Sequence, residues 1–299
     1  HVRSRRQRQM CIRDRCRNSI GIISPSLNPP LNIYDNHLKS IKNQVDVNYT
    51  HITVDSYSNN NAIFKFFEID NPRSIYIKNK SSQVKAIQNG YELLSNCCFF
   101  WLWLNVDDLF YNEKTLSIVQ ENISKNKESD IFYGNGIYEK LETNEKKNAW
   151  INKNIEFNPI KSFCTCVGIS QPSVYIKKNK ITEKCLYSIS ENYCFDYELW
   201  IKFSFEELKF KYINENLSKY NFSDNNITTS LRETQLKQTC TMIKQYYKFV
   251  PISWIKRLSD CIYNKNDGIW KNDKNITFGK IRKVNIIYNL SLIHISEPT

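Results

Sequence analysis

Asp107 and Asp108 stand side by side near the end of an otherwise apolar run, FFWLWLNVDDLF, residues 99 to 110. Two neighbouring ionised carboxylates repel, and a divalent cation relieves that repulsion while it coordinates phosphate oxygens. Asp55 closes a second run, THITVD, residues 50 to 55, rich in β-branched residues. If both runs are strands of one open parallel sheet, their acids meet beyond the carboxyl ends of the strands, where such sheets bind ligands. The chemistry expected is one site that holds a metal and something the metal binds. Taken alone, the acid pair has a plainer reading: carboxylates after a strand often just begin a solvated helix, where the helix dipole favours negative charge.

A regular alternation of strand and helix must supply that edge. SIGIIS, residues 19 to 24, reads as a strand stopped by the prolines of PSLNPP. From Ile33 to Lys42, the residues Ile33, Tyr34, His37, Leu38 and Ile41 fall on one helical face. THITVD is the second strand, and AIFKFFE a short helix after it. SIYIK, Ser74 to Lys78, is the third strand. SQVKAIQNGYELLS is a helix with Val84, Ile87, Tyr91 and Leu94 on one side, weakened slightly by Gly90. CCFFWLWLN reads as a central strand, apolar on both faces. A helix from Glu113 to Ser124 and the strand DIFYGNGIYEK complete the pattern of an α/β layered fold with a largely parallel sheet.

The ends of the chain read differently. LSLIHISEPT, residues 290 to 299, and RRQRQMCIRD, Arg5 to Asp14, resemble translated transposon sequencing adapter, so residues 1 to 15 and 290 to 299 are excluded from the fold. Setting aside six arginines and Asp14 at the start and Glu297 at the end lowers the formal net charge from +12 to +8. The arginine-rich start is then no nucleic-acid arm, and a nucleic-acid partner is not expected. A hydrophobic fraction of 41% fits an ordinary globular chain. The 10 cysteines include no CxxC pair, and the histidines stand apart at positions 1, 37, 51 and 294, which argues against zinc and for buried thiols. The longest uncharged apolar run, Cys97 to Leu104, is far shorter than the ~20 residues that span a bilayer, so a cytoplasmic protein is expected.

SPSLN, a helix ending SIKNQ, ITVD, LNVDDL, YGNGIY, QPS and DYELWIKF, in that order, resemble the family 2 glycosyltransferases of GT-A fold, over roughly Ile20 to Ser223. The resemblance implies a GT-A domain over residues 16–229, a mostly parallel sheet flanked by helices, followed by a C-terminal helical extension over 230–289. It implies that Ser24 and Asp55 contact the nucleotide-sugar, that Asp107 faces the ribose, and that Asp108 coordinates Mg²⁺ or Mn²⁺ at the diphosphate. Asp196 would be the general base on an acceptor hydroxyl, in an inverting displacement without a covalent intermediate. The acceptor implied is a glycan or lipid-linked hydroxyl, at the inner face of a bacterial cytoplasmic membrane. Trp200 and Ile201 fall at positions that pack the helix after Asp196, and Asp196 alone is also a common helix N-cap type.

Several positions depart from the family's usual residues. Lys80, Lys85 and Gln88 replace two acids and an asparagine, Asn60 replaces an aspartate, and Phe195 replaces the acid before the base. Phe222 and Ser223 stand where a metal-binding histidine sometimes lies. No Gln-x-x-Arg-Trp motif is present, which argues against a processive synthase. Lys85 and Phe195 motivate a competing reading, a non-catalytic relative that binds nucleotide-sugar or glycan. QPS, at Gln171, reads as a loop shaping the acceptor side. In the tail, Leu236, Cys240, Ile243 and Tyr247 follow helical spacing, Pro251 interrupts, and SWIKRLSDCIY forms an amphipathic helix. Residues 251 to 289 hold eight Lys/Arg against three Asp, so the segment either lies on an anionic membrane surface or packs on the domain with its charged face in water.

Overall fold

Strand and helix alternate through the first half of the chain in the computed structural model, which describes residues 19–94, 98–140, 143–222, 230–264 and 277–287. β1 (Ser19–Ser26), α1 (Leu31–Lys42), β2 (Tyr49–Asp55), α2 (Ala62–Ile69), β3 (Ser74–Lys78), α3 (Gln83–Leu93) and β4 (Cys98–Trp103) follow in order. Next come β5 (Asp108–Phe110), α4 (Thr115–Lys125), β6 (Ile131–Lys140), β7 (Glu145–Asn148) and α5 (Pro159–Thr165). β8 (Val174–Lys177), α6 (Lys180–Tyr187), α7 (Phe195–Phe205) and β9 (Phe210–Phe222) complete the sheet. Three helices end the described chain: α8 (Arg232–Tyr247), α9 (Ile252–Asn264) and α10 (Phe278–Ile287). The two segments read as adapter, and the Ser223 position, lie outside the described residues.

The strands form one sheet in the order β3-β2-β1-β4-β8-β6-β9-β5, with β7 paired to β6. β3, β2, β1 and β4 are mutually parallel, β6 and β9 run parallel to each other, and β8 and β5 are antiparallel to their neighbours. The sheet is therefore mostly parallel, as expected, with reversed strands confined to its second half. β1 runs two residues beyond its expected stop and includes Pro25. Backbone groups alternate sides along a strand, and the Ile23 carbonyl accepts from Leu104 N–H on the β4 side. Pro25 therefore faces the β4 side beyond the last paired residue, Trp103, where a missing N–H breaks no ladder bond.

The unbroken apolar run of β4 follows from coverage of both its faces. Trp101 and Trp103 join the cluster that includes Val84 and Ile87 of α3, Leu199 and Trp200 of α7, and Ile243 of α8. Phe100 and Leu102 join the opposite cluster, with Ile41 of α1 and Leu116 and Val119 of α4. Phe99, expected inside, is 50% exposed near the strand's start. The C-terminal helices share the first of these cores: Leu236, Cys240, Trp254, Ile255, Leu258 and Val284 are all buried within it. Trp254 Nε1 donates to the Cys164 carbonyl at 3.0 Å and its ring lies against Tyr197. The apolar stripe of α9 thus packs on the domain, and its inward side is not available to a bilayer. No described helix is long and apolar enough to cross a membrane.

Gly90 has a packing reason for its place in α3. A Cβ there would come within 2.4 Å of Ile23 Cγ2, on a stiff β-branched side chain that is fully buried in β1. Gly90→Ala is expected to destabilise the fold by about 1–3 kcal/mol despite its better helix propensity. Urea denaturation would show it, and adding Ile23→Ala should make the alanine at 90 less costly than it is alone.

Candidate functional site

The acid pair is presented by a tight turn between β4 and β5. Leu104 N–H donates to the Ile23 carbonyl at 2.9 Å, and Asp108 N–H donates back to the Asn105 carbonyl at 2.9 Å. The chain therefore turns just past the carboxyl end of β4, as the parallel-sheet argument requires. Asn105 is the centre of this turn. Its Nδ2 donates to Asp108 Oδ2 at 3.3 Å and to Gln171 Oε1 at 3.2 Å, while its Oδ1 accepts from Gln83 Nε2, at the start of α3, at 2.8 Å. Gln171 in turn donates from Nε2 to the Trp103 carbonyl at 2.8 Å. QPS, expected as an acceptor-side loop, is a 3-10 turn whose glutamine braces the acid turn. Gly136 lets that turn approach β6, since a Cβ there would come within 2.3 Å of Ser170 Oγ.

Asp108 is fully buried, and its Oδ1 has no hydrogen-bond partner. Among the described residues it is the one carboxylate oxygen so placed. Burial, and then the charge of Asp107, push the Asp108 carboxyl well above the usual carboxylate range. Asp107 is half-buried, and burial pushes it up as well. A cation at Oδ1 would reverse both effects, because it favours the ionised forms that burial and mutual repulsion disfavour. Among the described residues, no three His, Cys, Asp or Glu side chains converge on one point. The donor set nonetheless fits Mg²⁺ or Mn²⁺, ions commonly held by one or two carboxylates with phosphate oxygens and water filling the remaining positions.

Aromatic packing ties the start of α7, which carries Asp196, to the end of β4. It lies in the first turn of α7, half-buried, and its Oδ1 accepts from Tyr197 N–H at 2.8 Å. The preceding Phe195 packs on Trp103 with ring centroids 6.1 Å apart, and Trp200 stacks on the same indole at 5.5 Å. Trp103 is two residues from Asn105, so α7 is fastened to the strand that carries the acid turn. Phe195 therefore serves as an anchor for α7, and Trp200 and Ile201 are fully buried packing residues. Burial is the main cause that raises the Asp196 carboxyl to about 6.

Other expected residues are placed differently. Ser24, expected at the nucleotide-sugar, is fully buried with its hydroxyl between His37 Nε2 at 2.9 Å and His51 Nε2 at 3.0 Å. The side chain faces the interior between α1 and the sheet and cannot reach a ligand. Asp55 ends β2 as expected, but its carboxylate is buried and accepts from both the backbone N–H (3.0 Å) and the hydroxyl of Ser58. It locks the loop after β2, which Asn28 joins by donating N–H to Ser58 Oγ at 2.7 Å. Within that loop Tyr57 adopts φ 63° and leaves its ring 57% exposed. A left-handed backbone costs such a residue about 1–2 kcal/mol, a cost that the Asp55–Ser58 bonds hold in place.

The departures noted in the sequence resolve into separate surroundings. Gln88 points away from the edge, donating to the Leu186 carbonyl of α6 at 3.0 Å. Lys80 and Lys85 are exposed. Asn60 accepts from Ala62 N–H at 3.1 Å at the start of α2, where an aspartate would do the same. Asn105, Gln171 and His37 are the site's supporting residues; Asn105 and Gln171 lie in the LNVDDL and QPS motifs and His37 on a helical face, but the sequence gives none of them this bracing role.

No protein-family model matches the chain, and no curated protein matches its sequence. Among solved structures, its fold is similar to that of S. aureus TarS (residues 1–349). The TarS structure with UDP-GlcNAc superposes with a TM-score of 0.56 at 11% identity, covering 82% of this chain and 71% of that one. Another structure of TarS 1–349 gives 0.54 at 10% identity, with 83% and 73% covered, and that with UDP gives 0.53 at 13%, with 82% and 70% covered. Identity this low speaks for the fold alone, a GT-A-like α/β architecture.

Proposed function

We propose that the chain is a divalent-metal-dependent, inverting, non-processive glycosyltransferase of the family 2 type. It would transfer one sugar from a nucleotide-diphosphate sugar to a hydroxyl of a glycan or lipid-linked acceptor. The observation that carries this reading is Asp108 Oδ1, buried and without a partner beside a second acid, at the carboxyl edge of a GT-A-like sheet. The binding of UDP-GlcNAc and UDP by TarS, which shares the fold, supports a nucleotide-sugar donor.

In this reading Asp108 would hold Mg²⁺ or Mn²⁺, which would supply positive charge against the departing diphosphate. Asp107, the more exposed of the pair, faces the ribose, and Asp55 shapes the nucleoside side through the loop that it locks. Asn105 and Gln171 fix the acids before substrate arrives, so little reorganisation is left for the reaction itself. Asp196 accepts the proton of the acceptor hydroxyl as that oxygen bonds to the anomeric carbon and the bond from that carbon to the phosphate oxygen breaks. A single displacement from the opposite face inverts the anomeric centre. A carboxyl with a value of about 6 is ionised at neutral pH yet basic enough to take the proton.

Calorimetry of UDP binding with and without Mn²⁺, followed by an assay for sugar released or transferred from UDP-GlcNAc, tests this. Mn²⁺-dependent binding with turnover supports the proposal. A folded chain that binds none of the uridine, guanosine and thymidine diphosphates with Mn²⁺ would overturn it, and binding without turnover of any matching nucleotide-sugar would mark a non-catalytic relative.

A further inference from the structure

Three buried polar side chains, His37, Ser24 and His51, together with the half-buried Ser74, form a continuous chain between α1 and the sheet that ends at the acid pair. His37 Nδ1 lies 2.7 Å from the backbone carbonyl of Asp108. His37 Nε2 lies 2.9 Å from Ser24 Oγ, which lies 3.0 Å from His51 Nε2, and His51 Nδ1 lies 2.8 Å from Ser74 Oγ. Both histidines are fully buried, and neither ring has a carboxylate among its hydrogen-bond partners, so each is a neutral imidazole. A neutral imidazole has one donor and one acceptor nitrogen. A carbonyl only accepts, so the His37 proton is on Nδ1 and its Nε2 accepts from the Ser24 hydroxyl. Ser24 Oγ, having spent its proton, accepts from His51 Nε2–H, and His51 Nδ1 accepts from the Ser74 hydroxyl. Each bond fixes the direction of the next, from Ser74 on β3 to Asp108, and Thr53 Oγ1, 3.4 Å from His51 Nε2, is a second, longer acceptor for that proton.

Such a chain is costly to build, because polar groups that leave water for an interior without full partners cost more than apolar ones. Its terminal bond falls on the backbone of the residue whose free carboxylate oxygen defines the site. The Asp108 carbonyl is gripped from α1 while the Asp108 carboxylate is gripped by Asn105 from the turn, so the residue is held at two points. Burial and the repulsion of Asp107 act to displace that carboxylate.

We infer that His37 is a positioning residue for Asp108, with Ser24 and His51 fixing its tautomer so that its Nδ1–H always faces the Asp108 carbonyl. This rests on the metal reading of Asp108 proposed above. It also gives Ser24 a role in orienting His37 in place of the ligand contact expected from its motif.

Two measurements on the full chain test it. Imidazole ¹⁵N spectra should show His37 and His51 as opposite neutral tautomers, protonated on Nδ1 and Nε2 respectively; the same tautomer in both would overturn the chain of bonds. Calorimetry of UDP with Mn²⁺ should then give a loss of about tenfold or more for His37→Leu, the size typical of outer-shell partners of metal ligands. His37→Asn, whose amide nitrogen stands where Nδ1 does, should remain close to wild type, and His37→Gln, whose amide nitrogen stands nearer Nε2, should not. If His37→Leu does not fold, the asparagine and glutamine pair carries the test. Equal affinities across folded variants would overturn the inference alone. A wild-type chain with no Mn²⁺-dependent binding would instead sink the metal reading on which it rests, while the tautomers still report on the bonds themselves.

Discussion

Asp108→Asn is expected to abolish the Mn²⁺ dependence of UDP binding and to lower kcat/KM by about 10³-fold, the equivalent of losing about 4 kcal/mol of charge stabilisation in the transition state. Asparagine has almost the shape of aspartate and can still accept from Asn105 Nδ2, so the turn should survive. What it lacks is the anionic Oδ1 that the fold buries without a partner. The same substitution should raise the melting temperature of the metal-free protein at neutral pH. Burial and the Asp107 charge push the Asp108 carboxyl well above its ordinary value, so keeping it ionised costs the fold stability that a neutral amide does not. Higher stability joined to lost metal response is the signature of a site strained for function. Thermal melts with and without Mn²⁺, beside calorimetry, would read both. An Asp108→Asn chain that melts lower and still responds to Mn²⁺ would show that Asp108 is a structural acid and the cation lies elsewhere.

The first half of the fold was legible because its periods are clean. α1 to α4 each bury a face at the spacing that their apolar residues set, β2 is buried almost throughout, β3 is an edge strand with no fully buried residue, and the doubly apolar β4 announced a strand covered on both sides. The second half was harder to read. β5 has three residues, beginning with Asp108 itself, too few to show any period. β9 shifts register against β6 around Asn135, which breaks the alternation that marks a strand. β8 has only four residues and follows QPS directly, too short a run to show a period.

The candidate site divides along the same line. The acids stood out because carboxylates next to apolar runs are conspicuous. The groups that hold them did not, because Gln171 is 66 residues from Asn105 and His37 is 71 from Asp108. The Ser24 hydroxyl is turned inward for a related reason. Its position at the end of β1 placed it at the right edge, but which face a strand residue takes is decided by its neighbours, and here two histidines from α1 and β2 claim the hydroxyl.

Asp196→Asn should separate binding from chemistry. Removing a general base lowers turnover by about 10² to 10⁴-fold, and Asp196 lies on α7 rather than on the acid turn, so Mn²⁺-dependent UDP affinity should stay at the wild-type level. Wild-type kcat/KM should fall about tenfold per unit as the pH drops below about 6, since the base acts only as a carboxylate and burial has raised its carboxyl to about 6. The variant's residual rate should lack this limb. Stability supplies the control. A folded-state value above the ordinary 3.8 means that Asp196 contributes stability that is fully present below the ordinary value and lost as the pH rises through about 6. At pH 7.5 the neutral asparagine should therefore melt no lower than wild type, and the comparison should turn toward wild type as the pH falls to 4. A dead variant that is folded, binds nucleotide and carries no acid limb can be explained only by loss of the proton acceptor. If the variant retained turnover with the limb intact, another group would have to take the proton, and the raised value of Asp196 would reflect nothing more than its burial against α7.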